Sequence, residues 1–151
     1  MKIHALVLTL SLLVCANASA ATQHQGWMPD AIPWQMTAAD GTRYALLEGK
    51  SEKEREPFSY AFSIPAGVWD APHSHSATAR VFVAKGVLRI GYDSSFDHSR
   101  AKSYPAGSYV IVPAGVVHFD GSDTDTIIIG TATGPWTTTY VDRSSPASAG
   151  P

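Results

Sequence analysis

The sequence predicts an all-β domain that closes into a barrel or a two-sheet sandwich. Short runs of β-branched and aromatic residues recur along the chain, at the spacing of roughly 8–12 residues that is typical of such folds. Gly and Pro stand at nearly every junction between these runs, where tight turns are needed. The length of 151 residues suits a single domain of this kind.

Eight runs have the character of strands, and each is bounded by Gly, Pro, Asp or Ser: residues 44–47, 58–64, 78–84, 87–92, 109–112, 116–119, 126–131 and 136–141. One further run, residues 51–55, could start a helix, but Pro57 would end it almost at once. Its charged side chains predict a solvated loop instead.

The composition is that of a slightly acidic globular protein. Lys and Arg number 11 against 13 Asp and Glu, which gives a formal net charge of −2. A chain with so little net charge lacks the basic surface that nucleic acids and anionic membranes attract. Hydrophobic residues make up 44% of the chain, which argues against a disordered protein. We therefore expect a small-molecule substrate or ligand and no nucleic-acid partner.

The first twenty residues have the pattern of a secretory signal peptide. Lys2 provides the positive charge, an apolar run extends to Ala16, and Ala18-Ser19-Ala20 provides the small residues of a cleavage site. A membrane anchor is the alternative, but the apolar run is shorter than the roughly 20 residues that span a bilayer. The sequence thus predicts residues 1–20 as a signal peptide. The mature protein is then periplasmic or secreted, with no membrane contact after signal removal.

The rest of the chain divides into three parts by composition: an N-terminal arm (21–40), a barrel domain (41–142) and a disordered tail rich in Ser, Ala, Gly and Pro (143–151). Cleavage of the signal would remove Cys15, the only cysteine. Any metal site of the mature protein must therefore use histidine and carboxylate ligands, and no thiolate nucleophile is available.

Three histidines on two strand edges are the candidate metal ligands. His73 and His75 stand two residues apart, so on extended backbone their imidazoles share one face. As a pair they could equally be titrating surface residues. They belong, however, to a box that reads Gly67-x5-His73-x-His75-x10-Gly86, and a second box reads Gly107-x5-Pro113-x-Gly115-x2-His118. A chain of this composition would match the second box by chance only roughly 0.002 times.

The two boxes resemble those of the cupin superfamily. The similarity extends over about residues 27–142 to small, single-domain, exported bacterial cupins, through Leu47-Glu48-Gly49, Glu56-Pro57-Phe58 and Gly134-Pro135-Trp136. The resemblance implies a double-stranded β-helix, or jelly-roll barrel, that holds a metal just inside its mouth. It also implies a homodimer. It says little about the substrate, because one fold hosts many chemistries.

The sequence departs from the cupin pattern at two positions. A Glu that usually follows the second histidine by four residues and serves as the fourth ligand is replaced by Ala79. An Asn that usually follows the third histidine by four residues is replaced by Ser122. We therefore expect a metal site with three ligands, His73, His75 and His118. Such a site leaves the 2+ charge of the ion uncompensated and frees a coordination position, but it also binds the ion less tightly.

These features favour an exported small-molecule metalloenzyme, a dioxygenase-like oxidoreductase with a mononuclear three-His site. Imidazole ligands fit a divalent transition metal; Fe(II) is preferred for oxygen chemistry, with Zn and Mn as alternatives. The other interpretation is a non-catalytic cupin that binds a small ligand and retains a weak or relict metal site. Loss of the Glu is compatible with both.

Asp120 is the one weak candidate for a catalytic group. It lies two residues beyond His118 and so shares the predicted face of that ligand. From there it could orient a ligand or act as a general base. A solvated carboxylate in the turn that follows is the alternative.

Overall fold

A computed structural model describes residues 24–141, which form two facing antiparallel β-sheets. The described chain contains these strands: β1 Met36–Thr37, β2 Arg43–Glu48, β3 Pro57–Ile64, β4 Trp69–His75, β5 Ala79–Lys85, β6 Val87–Gly91, β7 Lys102–Pro105, β8 Tyr109–Val112, β9 His118–Gly121, β10 Thr126–Thr133 and β11 Thr138–Tyr140. A short 3₁₀ helix, His98–Arg100, lies between β6 and β7. The six-stranded sheet has the order β1-β2-β3-β10-β5-β8, and the five-stranded sheet has the order β11-β4-β9-β6-β7. The predicted all-β jelly-roll fold is confirmed.

The core lies between the two sheets and follows the two-residue period of extended chain. In β5, Ala79, Val81 and Val83 are buried, whereas Arg80 and Phe82 between them are exposed. The same alternation on neighbouring strands places one apolar row on the inner face. The main core cluster consists of Ile64, Ala79, Val81, Val83, Leu88, Ile90, Val110, Val112 and Ile128.

Most of the predicted strands lie close to observed ones, but two are displaced and three observed strands were not among them. Residues 116 and 117 follow the turn at residues 114 and 115 without strand pairing, so β9 begins only at His118. Residues 136–141 provide only the short β11. The unpredicted strands are β1, β4 and β7. β4 contains Asp, Pro and Ser beside its two histidines, and pairing on both edges overrides that weak local preference.

A tight turn joins the two histidine-bearing segments. The Gly115 N–H donates to the His75 carbonyl over 2.9 Å, and the Ala114 N–H donates to the Thr78 hydroxyl over 3.2 Å. Gly115 adopts a φ of 74°, which favours glycine, so the spacing of the second box is a backbone requirement of this turn. The turn therefore places His118, three residues later, beside His75.

The loop of residues 51–56 is hydrogen-bonded to the segment that leads into β11. It forms turns and no helix, and its central side chains are exposed, as expected for a solvated loop. Its backbone forms three hydrogen bonds with residues 134–136. The Ser51 carbonyl accepts from the Trp136 N–H, the Glu56 carbonyl accepts from the Gly134 N–H, and the Arg55 N–H donates to the Gly134 carbonyl. These bonds fix Trp136 next to the start of β11.

The arm covers the outer face of the six-stranded sheet. Ile32 and Trp34 pack there against Ala45 and Ala61. Farther along the outer face of the same sheet, three large apolar side chains are exposed: Phe82, Tyr109 and Ile111. The homodimer stays a prediction.

The predicted signal peptide (1–20) and the whole predicted tail (143–151) lie outside the described residues, so the domain boundaries and export stay predictions. Within residues 24–141, no helix has the length and apolar character needed to span a membrane.

Replacing Gly130 by Ala should destabilise the barrel. The Tyr60 ring from β3 lies against Gly130 of β10, where an added Cβ would overlap its Cζ atom. Because a packed core resists added atoms, the free energy of unfolding should fall by about 1–3 kcal/mol. Urea unfolding measures this. The control is Gly26→Ala in the exposed arm, where a Cβ meets no atom within 4 Å. Equal stability of the two variants would contradict the described packing of Tyr60.

Candidate metal centre

Three imidazoles from two adjacent strands converge inside the barrel. β4 carries His73 and His75, and β9 carries His118. The ring centroids lie 4.3 Å apart for His73 and His118, 4.7 Å for His73 and His75, and 5.0 Å for His75 and His118. His73 and His118 are buried, whereas His75 is half-buried. The residues proposed as ligands on sequence grounds are thus brought together.

A bulge in β4 makes this convergence possible. Asp70 pairs with Asp120, but the register shifts by one residue before His73 pairs with His118. In an unshifted ladder Pro72 would stand opposite His118. A bulge re-aims the side chains that follow it, and here it turns two histidines toward each other across the sheet.

One nitrogen of each ring is held by a hydrogen-bond partner. The Nδ1 of His73 lies 2.7 Å from the Ala71 carbonyl, and the Nδ1 of His118 lies 3.0 Å from the Val116 carbonyl. The Nδ1 of His75 lies 3.1 Å from the Thr138 hydroxyl. These contacts leave Nε2 as the ligand atom, which is the arrangement that orients histidines toward a metal.

The three residues can hold a metal ion. Each offers one nitrogen, and these atoms all lie within 4.8 Å of one another. Burial, then the neighbouring His73 and His118, lowers the pKa of His75 from 6.5 to about 3. Burial also lowers the pKa of His118. A metal needs neutral imidazoles, and the lowered pKa of each of these two rings favours that form.

The Asp120 carboxylate faces the Nε2 atoms of His73 and His118. Its Oδ2 lies 3.9 Å from the Nε2 of His73 and 3.9 Å from the Nε2 of His118. Burial raises the pKa of Asp120 from 3.8 to about 6, and nearby Asp70 adds to this while His73 opposes it. The side chain is 22% exposed, so Asp120 is not a solvated turn carboxylate. The structure thus places Asp120 and His118 at the same cavity.

The two positions that depart from the cupin pattern have structural roles. Ala79 is buried in the main core and lines the interior cavity, so a Glu here would point inward as in the pattern. Ser122 is fully buried; its hydroxyl donates to the Val87 carbonyl over 2.7 Å and accepts from the Thr124 N–H. Ser122 therefore secures a turn rather than contacting the histidines.

β11 and the segment before it contribute three residues to the site that were not predicted from the sequence: Trp136, Thr138 and Tyr140. The Trp136 ring lies 4.2 Å from that of His75, and Thr138 bonds to His75. Tyr140 lies 5.5 Å from the His73 ring and donates to Asp70 Oδ2 over 3.2 Å. Burial, chiefly, raises the pKa of Tyr140 to about 12. The pairing of β11 with β4 places Thr138 opposite His75 and Tyr140 opposite His73.

A cavity of about 430 Å³ opens beside the three histidines. This volume is typical of a small-molecule site. Its polar side carries Asp70, His73, His75, His118, Asp120, Thr138 and Tyr140. The rest is largely apolar and aromatic and includes Tyr44, Phe58, Tyr60, Phe62, Ile64, Val81, Leu88, Ile90, Val112, Ile128 and Trp136. Of the described residues that line it, none is Lys or Arg.

The family model of the ChrR cupin-like domain matches residues 22–137. The chain belongs to this cupin family. This match confirms the resemblance that the two histidine boxes indicate, and it includes every residue of the centre except Thr138 and Tyr140.

Part of the chain is similar to curated germin-like proteins. Germin-like protein 5-1 of Oryza sativa subsp. japonica is 35% identical over 63 residues, which cover 41% of this chain. The matches span only about a quarter of the length of such curated relatives, 28% and 25%.

Two solved structures share the fold. A candidate acetylacetone dioxygenase of Methylibium petroleiphilum has a TM-score of 0.59 at 21% identity, with 83% of this chain and 87% of that chain covered. The DMSP lyase DddQ of Ruegeria pomeroyi has a TM-score of 0.59 at 17% identity, with 74% and 62% covered.

Asp120→Asn should stabilise the metal-free protein at pH 7 by roughly 1–3 kcal/mol. The pKa of Asp120 is raised from 3.8 to about 6 in the folded state, so the wild type loses stability as pH rises through that interval. Asparagine does not ionise, so the difference between the proteins should be absent below pH 3.8 and complete above about pH 6.

Urea unfolding in the presence of a chelator, at pH 3.5 to 7, measures this difference. His75 and His118, whose lowered pKa values act in the opposite direction, are present in both proteins and largely cancel. A difference that does not change with pH would show that Asp120 ionises as easily in the folded state as in the unfolded chain.

Proposed function

We propose that this cupin is a small-molecule metalloenzyme with dioxygenase-like chemistry, and that Fe(II) is its metal. The observation that carries the proposal is the convergence of three imidazoles, each with Nδ1 engaged, at the polar side of an apolar cavity. His73, His75 and His118 would hold the ion. A bound Fe(II) supplies redox chemistry toward O₂ and open positions for a substrate.

The remaining side chains shape the place where a substrate would bind. Phe58, Tyr60 and Trp136 form an aromatic wall, with Phe58 and Trp136 edge to face at 5.8 Å and Tyr60 and Trp136 at 6.0 Å. Trp136 also contacts the ring of His75, so the wall reaches the centre. Apolar walls exclude water, which strengthens electrostatic interactions at the centre. Asp120 can hold or accept a proton beside the two buried imidazoles.

The charges around the cavity favour an uncharged, largely apolar substrate. The described residues that line it include the carboxylates Asp40, Asp70 and Asp120 and no Lys or Arg. A free carboxylate or phosphate on the substrate would therefore meet no fixed positive side chain there. The name of one structure with the same fold, a candidate acetylacetone dioxygenase, supports a neutral dicarbonyl as the first substrate to test.

The second candidate function is a non-catalytic small-ligand binder with a weak or relict metal site. Ala79 favours it, because the usual Glu ligand is replaced by a methyl group packed in the core. In that case the cavity alone would bind the ligand. Metal content separates the two functions.

Replacing His118 by Ala should abolish tight metal binding while the barrel stays folded. Loss of a direct ligand should cost at least the roughly 10–100-fold in affinity that follows substitution of outer residues around a metal. Chelator competition with Fe(II) and Zn²⁺ measures the affinity, and circular dichroism checks the fold. The control is His24→Ala, which removes an imidazole from the exposed arm. Equal affinities in the two variants would remove His118 from the centre.

The Fe(II)-loaded protein should consume O₂ with acetylacetone and not with acetoacetate. The two compounds have nearly the same size, but acetoacetate carries a carboxylate that no Lys or Arg side chain among the described lining residues neutralises. An oxygen electrode measures turnover, and quenching of Trp136 fluorescence measures binding, with Trp136→Phe as the control for the emitting residue. Binding of the neutral compound without O₂ uptake, or a protein that retains far less than one equivalent of metal after reconstitution, would favour the binder. Preference for acetoacetate would contradict the charge argument.

A further inference from the structure

The carboxylate of Asp120 lies on the same side of the imidazoles as the nitrogens that are free to bind an ion. We propose that Asp120 is the fourth ligand of this metal centre, so that β9 supplies the acid that is missing at Ala79. The inference rests on the proposed metal centre and deepens it, because it changes the donor set from three imidazoles to three imidazoles and one carboxylate.

The distances fit a shell that closes around an ion. Two donor atoms about 2.1 Å from one ion are about 3.4 Å apart in a tetrahedral site. Asp120 Oδ2 is 3.9 Å from the Nε2 of both His73 and His118. The three imidazole donors themselves are spread over as much as 4.8 Å. Toward His73 and His118, the carboxylate oxygen is therefore as close as the imidazole donors are to one another.

The carboxylate is also free to bind an ion. Within residues 24–141, its oxygens accept no hydrogen bond, and the basic side-chain nitrogens within 4.0 Å of them are the Nε2 atoms of His73 and His118. Asp70, which pairs with Asp120 across the strands, is different: its Oδ2 accepts from the Tyr140 hydroxyl and lies 3.7 Å from the Nδ1 of His73. Asp70 thus stands behind a ligand, and Asp120 stands in front of two.

The strand geometry explains why one carboxylate can replace another. His118 and Asp120 are two residues apart in β9, so both side chains point into the barrel. The usual Glu would reach the ion from β5, through the inward position of Ala79. Either acid lowers the net charge of a divalent ion and its ligands to 1+. The full 2+ charge expected for a three-His centre is then not retained.

The test compares two substitutions that remove the same charge. Asp120→Asn and Asp70→Asn are made in the full chain, and Zn²⁺ affinity is measured by chelator competition. Co²⁺ is then substituted, and its visible absorption reports a change in the ligands. As the loss of a direct ligand, Asp120→Asn should lower Zn²⁺ affinity by at least the roughly 10–100-fold that substitution of an outer residue costs, and it should alter the Co²⁺ spectrum. Asp70→Asn should lower affinity only a few-fold and leave the spectrum as in the wild type, because the Ala71 carbonyl, not Asp70, holds the Nδ1 of His73.

A double variant tests the replacement itself. Ala79→Glu combined with Asp120→Asn should recover most of the lost Zn²⁺ affinity, because the cavity-facing position 79 would again supply a carboxylate. An infrared difference spectrum of the wild type, with and without Zn²⁺, should show a shift of carboxylate stretching bands. That measurement needs no variant to fold.

The outcomes separate this inference from the proposed function. Equal losses in Asp120→Asn and Asp70→Asn, an unchanged Co²⁺ spectrum, or no carboxylate shift in the wild type would overturn Asp120 as a ligand and leave a three-His centre. Failure of the wild type to bind Zn²⁺, Co²⁺ or Fe(II) would overturn the metal centre as well.

Discussion

The candidate metal centre lies where β4 meets β9, and the hydrogen bond from the Gly115 N–H to the His75 carbonyl fixes that junction. β4 and β9 are separated by more than forty residues of chain, and this bond joins the end of the first to the turn before the second. Imidazoles can share an ion only if their strands are held in one register. The β4 bulge then supplies the last adjustment, by setting His73 opposite His118. Turn and bulge together convert two distant sequence boxes into one cluster.

The centre also combines two demands that conflict in a barrel interior. Apolar walls protect a reacting ion from water, but they penalise every unpaired polar group. Here the cost is reduced on one side of the rings, where the Ala71 and Val116 carbonyls and the Thr138 hydroxyl satisfy Nδ1. It is not reduced on the other side, where Asp120 Oδ2 lies 3.9 Å from the Nε2 atoms of His73 and His118, too far for a hydrogen bond. A bound cation would interact favourably with both the carboxylate and the imidazole nitrogens at this point.

The sequence could identify the all-β fold, the three histidines and the inward face of Asp120, because these follow from strand period and from the fixed spacing of the two boxes. It could not identify β4 as a full strand, since pairing overrides its poor local preference. Nor could it place Trp136, Thr138 and Tyr140 at the site. Their position depends on the bonds between residues 51–56 and 134–136 and on the register of β11, which no local pattern encodes. The distance from Asp120 to two ligands is likewise a tertiary property.

The three Nδ1 atoms have different kinds of partner: main-chain carbonyls for His73 and His118, and a side-chain hydroxyl for His75. The carbonyls beside His73 and His118 can only accept, so each of those rings is locked in one tautomer by the main chain, whatever side chains surround it. The Thr138 hydroxyl beside His75 can accept or donate. A single substitution at Thr138 would thus reset the third ring alone. The basicity of His75 can therefore be adjusted through one side chain, whereas the main chain holds the other two rings.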